Sequence, residues 1–266
     1  MTRIAVAGLG AIGFTIAAAL DAGISGLELV AISAKDHDAA RLRVARFRKP
    51  VPILNVSDLE QHADLVVECA PANLFAKIAE PFLDQGKTVI AFSVSALLEF
   101  PHLIELAKSK RAQIIVPSGA IIGLDGVAAA AEGTIAHARI VTRKPPKGFA
   151  GAPYVQAQAI DLNAITLPMR IFSGSARQAA AAFPANVNVA VALALAGIGP
   201  DRTEVELWAD PEVTRNLHCI EVKSDTGNFT VVIDNIPSEN PRTSKITALS
   251  ALAYLRKLNA PLRIGS

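Results

Sequence analysis

The chain has little that would tie it to a membrane, to nucleic acid or to an oxidising compartment. No apolar run reaches the roughly 18 residues of a spanning helix. The nearest, Val187 to Ile198, has the length of a buried helix. The formal net charge is only +2, and no run of Lys and Arg could form a phosphate-tracking stripe, so nucleic acid is not an expected partner. The two cysteines, Cys69 and Cys219, make neither a CxxC pair nor a ladder of bridges, and a reducing, cytoplasmic setting fits them best. The chain enters a strand pattern within a few residues of Met1, without the charged, apolar and small-residue regions of a secretion signal. The histidines and cysteines are too scattered for a zinc site, and no Walker-type lysine follows the N-terminal glycines. Internal repeats and low-complexity segments are absent. Aromatic residues are few (5%) and charged ones fewer than usual (19%).

What is abundant is small aliphatic side chain. Half the residues are apolar, mostly Ala, Val, Ile and Leu. Such interiors are typical where helices pack closely on parallel strands. A length of 266 residues suits one large domain or two modest ones.

The first half alternates strand and helix patterns. Strands are expected at Arg3–Ala7, Glu28–Ser33, Leu65–Cys69, Thr88–Phe92 and Gln113–Val116, with helices at Ala11–Ala22, Asp36–Arg48, Ser57–Gln61, Asn73–Gln85 and His102–Ser109. That order implies parallel strands joined by right-handed crossovers. After about Leu124 the pattern changes. Ala136–Arg143, Thr203–Trp208, Asn216–Lys223 and Asn228–Asp234 read as strands, and Ala176–Ala182 and Ala185–Ala196 as helices. The expected fold class is α/β: a doubly wound parallel sheet over residues 1–123, then an α+β domain with a mixed sheet over 124–242. A last helix, 243–258, is expected to return to the first domain.

The strongest local signal is Gly8-Leu9-Gly10-Ala11-Ile12-Gly13. GxGxxG alone is weak, but here it follows a strand and opens an apolar helix. Gly8 permits the tight turn, Gly10 lets the backbone approach a pyrophosphate, and Gly13 lets helix and strand pack closely. The N–H groups of the first helical turn, which includes Ala11 and Ile12, supply donors and partial positive charge. A dinucleotide cofactor, NAD or NADP, is therefore expected. The acidic residue that would favour NAD, about twenty residues on, is replaced by Ser33, with Lys35 just beyond and Asp36 after it. Ser33 and Lys35 can accept a 2′-phosphate, so NADP should be tolerated, while Asp36 can still reach a ribose. Three small-residue turns should meet the nicotinamide past the strand ends, at the crevice between domains: Cys69-Ala70-Pro71-Ala72, Ser93-Val94-Ser95-Ala96 and Pro117-Ser118-Gly119-Ala120.

At this point the residues resemble a known family. Pro117-Ser118-Gly119-Ala120-Ile121, Phe183-Pro184-Ala185-Asn186-Val187-Asn188-Val189-Ala190, Arg215-Asn216-Leu217-His218 and Asn240-Pro241-Arg242-Thr243-Ser244 resemble the L-aspartate dehydrogenases, and the resemblance spans essentially the whole chain. One departure is Ile122, where the family carries a glycine; it bears on the shape of that loop. The resemblance implies oxidative deamination of L-aspartate to iminoaspartate, which hydrolyses to oxaloacetate and ammonia, or the reverse reductive amination. It also implies a Rossmann domain followed by an α+β domain that forms a homodimer, and a link to pyridine-nucleotide biosynthesis. His218 would be the acid/base residue. Ala120 would contact the cofactor through its backbone, and either Asn186 or Asn188 through a carboxamide.

Each candidate has a plainer explanation. His37, His62, His102 and His137 sit in surface-helix, loop or alternating-strand contexts. His218 lies on an apolar strand, where a lone histidine is often a satisfied core residue; as an acid/base group, its ordinary pKa suits proton transfer near neutrality. Cys219 should point to the opposite face from His218, and Cys69 reads as a small buried residue. Asn186 can cap the helix that follows Pro184, whereas Asn188 is harder to explain as a cap. Asn240 or Thr243 can cap the last helix. Yet a helix start bearing Arg242, Thr243 and Ser244 also suits an anion, and these three join Ser118 as substrate-binding candidates. The competing readings are a dehydrogenase of another small amino or hydroxy acid, and a dinucleotide-sensing module without turnover.

Overall fold

A computed structural model describes residues 1–238 and 244–265. Its contacts divide the chain into two units, residues 1–119 with 247–264 and residues 120–246 with 265–266.

The first unit is a parallel six-stranded sheet, made of β1 (Thr2–Ala7), β2 (Leu27–Ser33), β3 (Ile53–Leu54), β4 (Leu65–Glu68), β5 (Thr88–Ala91) and β6 (Gln113–Ile115). The strand order is β3-β2-β1-β4-β5-β6. It reverses direction between β1 and β4, and in sheets of this kind ligands bind beyond the strand ends at such a point. Ile4 to Ala7 and all of β4 are buried, as continuous apolar runs between two helical layers should be. The helix Ala11–Ala22 packs Ile16, Ala17 and Leu20 into a cluster with Ile4, Val6 and Ile32. The last helix, Lys245–Leu258, adds Ala248, Ala251, Leu252 and Leu255 to that same cluster. Its Ser250 hydroxyl accepts the Gly119 N–H at 3.0 Å. This is the Rossmann architecture, α/β and doubly wound.

Some elements differ from the sequence expectation. The helix expected over Asp36–Arg48 covers only His37–Val44; Asp36 caps it by accepting the Ala39 N–H at 2.9 Å. The two-residue β3 follows Pro52, whose carbonyl accepts the Ile32 N–H at 3.0 Å. A strand that short, following two prolines, leaves no periodic pattern to read.

The second unit holds a mixed five-stranded sheet in the order β11-β10-β7-β9-β8. Its strands are β7 (Ile135–Lys144), β8 (Met169–Ser175), β9 (Glu204–Ala209), β10 (Asn216–Ser224) and β11 (Asn228–Asn235). β7 runs antiparallel to β10 and parallel to β9. The sequence pattern did not reveal β8. A register shift between Arg170 and Phe172 buries Ile171 and Phe172 side by side and breaks the period-2 alternation. The helix Leu124–Ala131 was hidden as well: an alanine run containing Gly126 carries neither a periodic apolar face nor a strong cap. Phe149, Tyr154, Phe172 and Phe183 form one aromatic cluster with centroids 5.3–5.9 Å apart.

No helix among the described residues is long and apolar enough to cross a membrane, and no group of three His, Cys, Asp or Glu among them could hold a metal ion.

Candidate active site

In the first unit the glycine turn is shaped by two contacts that leave no room for a side chain. Gly8 adopts φ +97°, and a Cβ there would lie 2.6 Å from the Cys69 carbonyl oxygen. A Cβ on Gly13 would lie 1.9 Å from the Gly8 carbonyl oxygen, so the helix Ala11–Ala22 sits directly on the turn. Gly10 is different: a Cβ there would meet nothing within 4 Å. It caps the helix with no side-chain hydrogen bond, so the N–H groups of the first turn lack a side-chain acceptor in front of open space. That combination fits an anionic pyrophosphate. Ser33 is buried at the end of β2, and its carbonyl accepts the Gly8 N–H at 2.9 Å. Lys35 is exposed. Arg43, which the sequence reading passed over, donates to the Leu9 carbonyl inside the turn and lies 4.4 Å over the Phe14 ring.

Beside this turn, Glu68 ends β4 in full burial and accepts four donors. They are the N–H groups of Ala70 (3.0 Å), Phe92 (3.2 Å) and Ser93 (2.9 Å), and the Ser93 hydroxyl (3.0 Å). One carboxylate therefore joins the turn Cys69–Ala72, which contains Ala70 and Pro71, to the turn after β5. Burial pushes its pKa up to about 7 against the pull of the Ser93, Phe92 and Ala70 donors. Glu68 lay in an apolar strand run, and the sequence carried no signal for it. Cys69 keeps its proton, its pKa pushed well above the ordinary thiol value by burial and by Glu68.

The second unit places a polar group on one face of its sheet. His218 of β10 pairs across from Thr142 of β7, and its Nδ1 lies 2.9 Å from the Thr142 hydroxyl. Lys144 lies two residues along β7 on the same face, and Asn216 two residues before His218 on β10; all four are buried. Further along that face stand Ala138, Ile140, Ile220 and Val222, so the polar group is confined to one end. Burial first, and the Lys144 charge second, pull the His218 pKa down to about 3, which keeps the imidazole neutral. Burial lowers the Lys144 pKa to about 8. Cys219 stands on the other face, paired with Val141 and Val232.

Asn186 does not cap the following helix. That helix starts at Asn188, with Val187 in the cap position and no side-chain cap bond. The Asn186 carboxamide instead donates to the Gly148 carbonyl at 2.9 Å, and its own carbonyl accepts the Lys144 ammonium at 3.2 Å. Asn188, half-buried, is the first residue of the helix. Ala120 is fixed by Asn235, whose carboxamide donates to its carbonyl at 2.8 Å. Ser118 is half-buried beside Gly119. Ser244 is buried and bridges to Pro237, while Arg242 and Thr243 lie outside the described residues.

A family model described as "Aspartate dehydrogenase, C-terminal" matches residues 125–258, and one described as "Homoserine dehydrogenase, NAD binding domain" matches residues 8–117. L-aspartate dehydrogenase 3 of Bordetella bronchiseptica is 53% identical over 264 residues, covering 99% of this chain and 97% of its own. The chain belongs to the L-aspartate dehydrogenase family. The L-aspartate dehydrogenase of Methanosarcina barkeri is 39% identical over the full length of both chains. The crystal structure of aspartate dehydrogenase from Thermotoga maritima superposes with a TM-score of 0.75 at 26% identity, covering 100% of both chains. In this member of the aspartate dehydrogenase family the departure at Ile122 is accommodated by exposure. Its side chain is 47% accessible, and its backbone is not in the left-handed region, which Gly119 and Gly123 occupy instead.

The four-fold acceptor Glu68 gives a direct test. Glu68→Gln turns one acceptor oxygen into a donor facing backbone N–H groups. It should cost about 2 kcal/mol of stability and weaken dinucleotide binding as the two turns loosen. Chemical denaturation and a cofactor titration check this; unchanged values for both would remove Glu68 from the site.

Proposed function

We propose that the chain oxidises L-aspartate with NAD or NADP, giving iminoaspartate and then, with water, oxaloacetate and ammonia, or runs the reverse reductive amination. The cofactor is NAD or NADP, as the open glycine turn and the family both support. The observation that carries the reading is His218: a buried, neutral imidazole oriented by Thr142 at 2.9 Å, on the polar end of an otherwise apolar sheet face. A dinucleotide sensor has no need of such a base.

When bound, the nicotinamide supplies the acceptor for the Cα hydride. The protein does the rest. When Nδ1–H donates to the Thr142 hydroxyl, His218 offers Nε2 to take a proton, either from the substrate amine or from the water that adds to the imine. Burial holds its pKa at about 3 rather than the near-neutral value expected from its type, and a substrate anion beside it raises its basicity for that step. Asn186 or Asn188 and the backbone of Ala120 orient the nicotinamide. Ala70 and Pro71, in the turn after β4, contribute to cofactor binding. Gly8, Gly10, Ala11, Ile12 and Gly13 receive the pyrophosphate. Lys35 stands exposed past β2 and Ser33 ends that strand, so NADP is accepted beside NAD. Ser118 and the segment of Arg242, Thr243 and Ser244 hold one substrate carboxylate.

The enzyme works in the cytoplasm, supplies pyridine-nucleotide synthesis and forms a homodimer. Support for the dimer comes from the second sheet's other face, where Val141, Cys219 and Val232 form a row across three strands and Val232 is 63% exposed. The functional test is incubation of the purified protein with L-aspartate and either cofactor. Reduced nicotinamide should accumulate, with no response to L-glutamate or L-homoserine. Tight dinucleotide binding without turnover on L-aspartate would sink the assignment.

A further inference from the structure

We propose that Lys144 anchors a carboxylate of the substrate, a counter-ion that its buried ammonium finds in no Asp or Glu among the described residues; the inference deepens the dehydrogenase reading above and rests on it. Lys144 ends β7 with 4% of its surface accessible. Among the described residues its Nζ makes one hydrogen bond, to the Asn186 carbonyl at 3.2 Å, and stands 5.8 Å from the Phe149 ring centroid. No Asp or Glu among the described residues pairs with it. Its sequence neighbour Arg143, on the opposite face and more exposed, does have a partner, Asp210 at 3.1 Å. A buried cation without an anion is costly to keep. An ammonium has three donors, and the Asn186 carbonyl satisfies one. The remaining donors and the unmatched charge together suit a two-oxygen anion.

The location selects which anion. Lys144 and Thr142 are alternate residues of one strand, and Thr142 is opposite His218, so the backbone positions of Lys144 and His218 are offset by about 7 Å along the sheet. A carboxylate on Lys144 would bring the amine-bearing carbon of a small amino acid within reach of the imidazole. Asn216, two residues before His218 on β10, lies on the same face across from the Lys144 end of β7 and adds a carboxamide. The polar residues end where Ile140 and Ile220 begin, so the floor is polar only over the length of a short molecule. An amino dicarboxylate has two carboxylates, and Lys144 takes one of them.

The test uses succinate, a four-carbon dicarboxylate without an amine, as competitor against the cofactor-loaded protein. Lys144→Met and Lys144→Gln should each weaken succinate binding at least tenfold and raise the KM for L-aspartate by a similar factor. Dinucleotide affinity should stay within twofold, and the melting temperature without ligand should hold or rise, since an unmatched charge has been removed. Succinate binding within threefold of the parent in either variant overturns the proposal. So does a lower melting temperature in both, which would make Lys144 a structural tie to Asn186. The parent's turnover is scored separately: succinate binding that depends on Lys144 without oxidation of L-aspartate would keep the anchor and reject the dehydrogenase reading.

Discussion

His218→Ala is expected to lower kcat by roughly 10²–10⁴-fold, the usual contribution of a positioned acid/base group. Dinucleotide affinity should not change, because His218 is not among the residues proposed to hold the cofactor and its Nδ1 is tied to Thr142. A drop in kcat/KM without a loss of cofactor binding would locate the defect in proton transfer. The same residue carries a signature in stability. The folded protein refuses a proton at His218 until about pH 3, whereas the unfolded chain takes one near the ordinary value of 6.5. Between those limits the unfolded state binds more protons, so the parent loses stability as pH falls below 6.5 and gains nothing from this group above it. From pH 7 to pH 5 the loss is about 2 kcal/mol. His218→Gln should lack that loss, leaving a shallower acid limb in urea melts at several pH values. Parallel limbs would mean that His218 takes up its proton at the same pH in the native protein as in the unfolded chain.

The glycine turn predicts a contrast between two single-methyl changes. Gly13→Ala puts a carbon 1.9 Å from the Gly8 carbonyl oxygen, a backbone atom that can yield only if the helix lifts away from β1. The cost should be about 3 kcal/mol, at the upper end of overpacking, and dinucleotide binding should be lost with it. Gly10→Ala meets nothing within 4 Å, and its φ of −71° suits any residue. Its stability should therefore match the parent, while the new methyl group occupies the open space in front of the helix start and weakens dinucleotide binding roughly tenfold, about 1.4 kcal/mol. Calorimetry of cofactor binding beside thermal melts separates the two. Normal cofactor binding by Gly10→Ala would place the pyrophosphate elsewhere.

Much of this was legible from local patterns. The alternation of buried strands and apolar helices gave away a parallel sheet, because β1 and β4 are apolar on both faces. The glycine spacing pointed to a turn that the contacts of Gly8 and Gly13 now explain. Single side chains that act across the fold were harder to read. Glu68 and Lys144 are charged residues at strand ends, and a linear reading gives no reason to bury them. Their roles depend on partners 25 and 42 residues away, at Ser93 and Asn186. Thr142 gains meaning only from its register against His218, and register is set by long-range pairing. Asn186 looked like a helix cap because it precedes an apolar run, yet its carboxamide is drawn to the Gly148 carbonyl instead. β8 was lost to a bulge that disrupts the two-residue period.

The central claim is that this protein moves a hydride from the Cα of L-aspartate to a nicotinamide. The most direct measurement uses L-aspartate carrying deuterium at Cα and follows the reduced cofactor by NMR. The account predicts deuterium on C4 of the nicotinamide, on one face only, in amounts equal to the oxaloacetate formed. Reduced cofactor without deuterium, or no reduced cofactor in a protein that binds the dinucleotide, would contradict it.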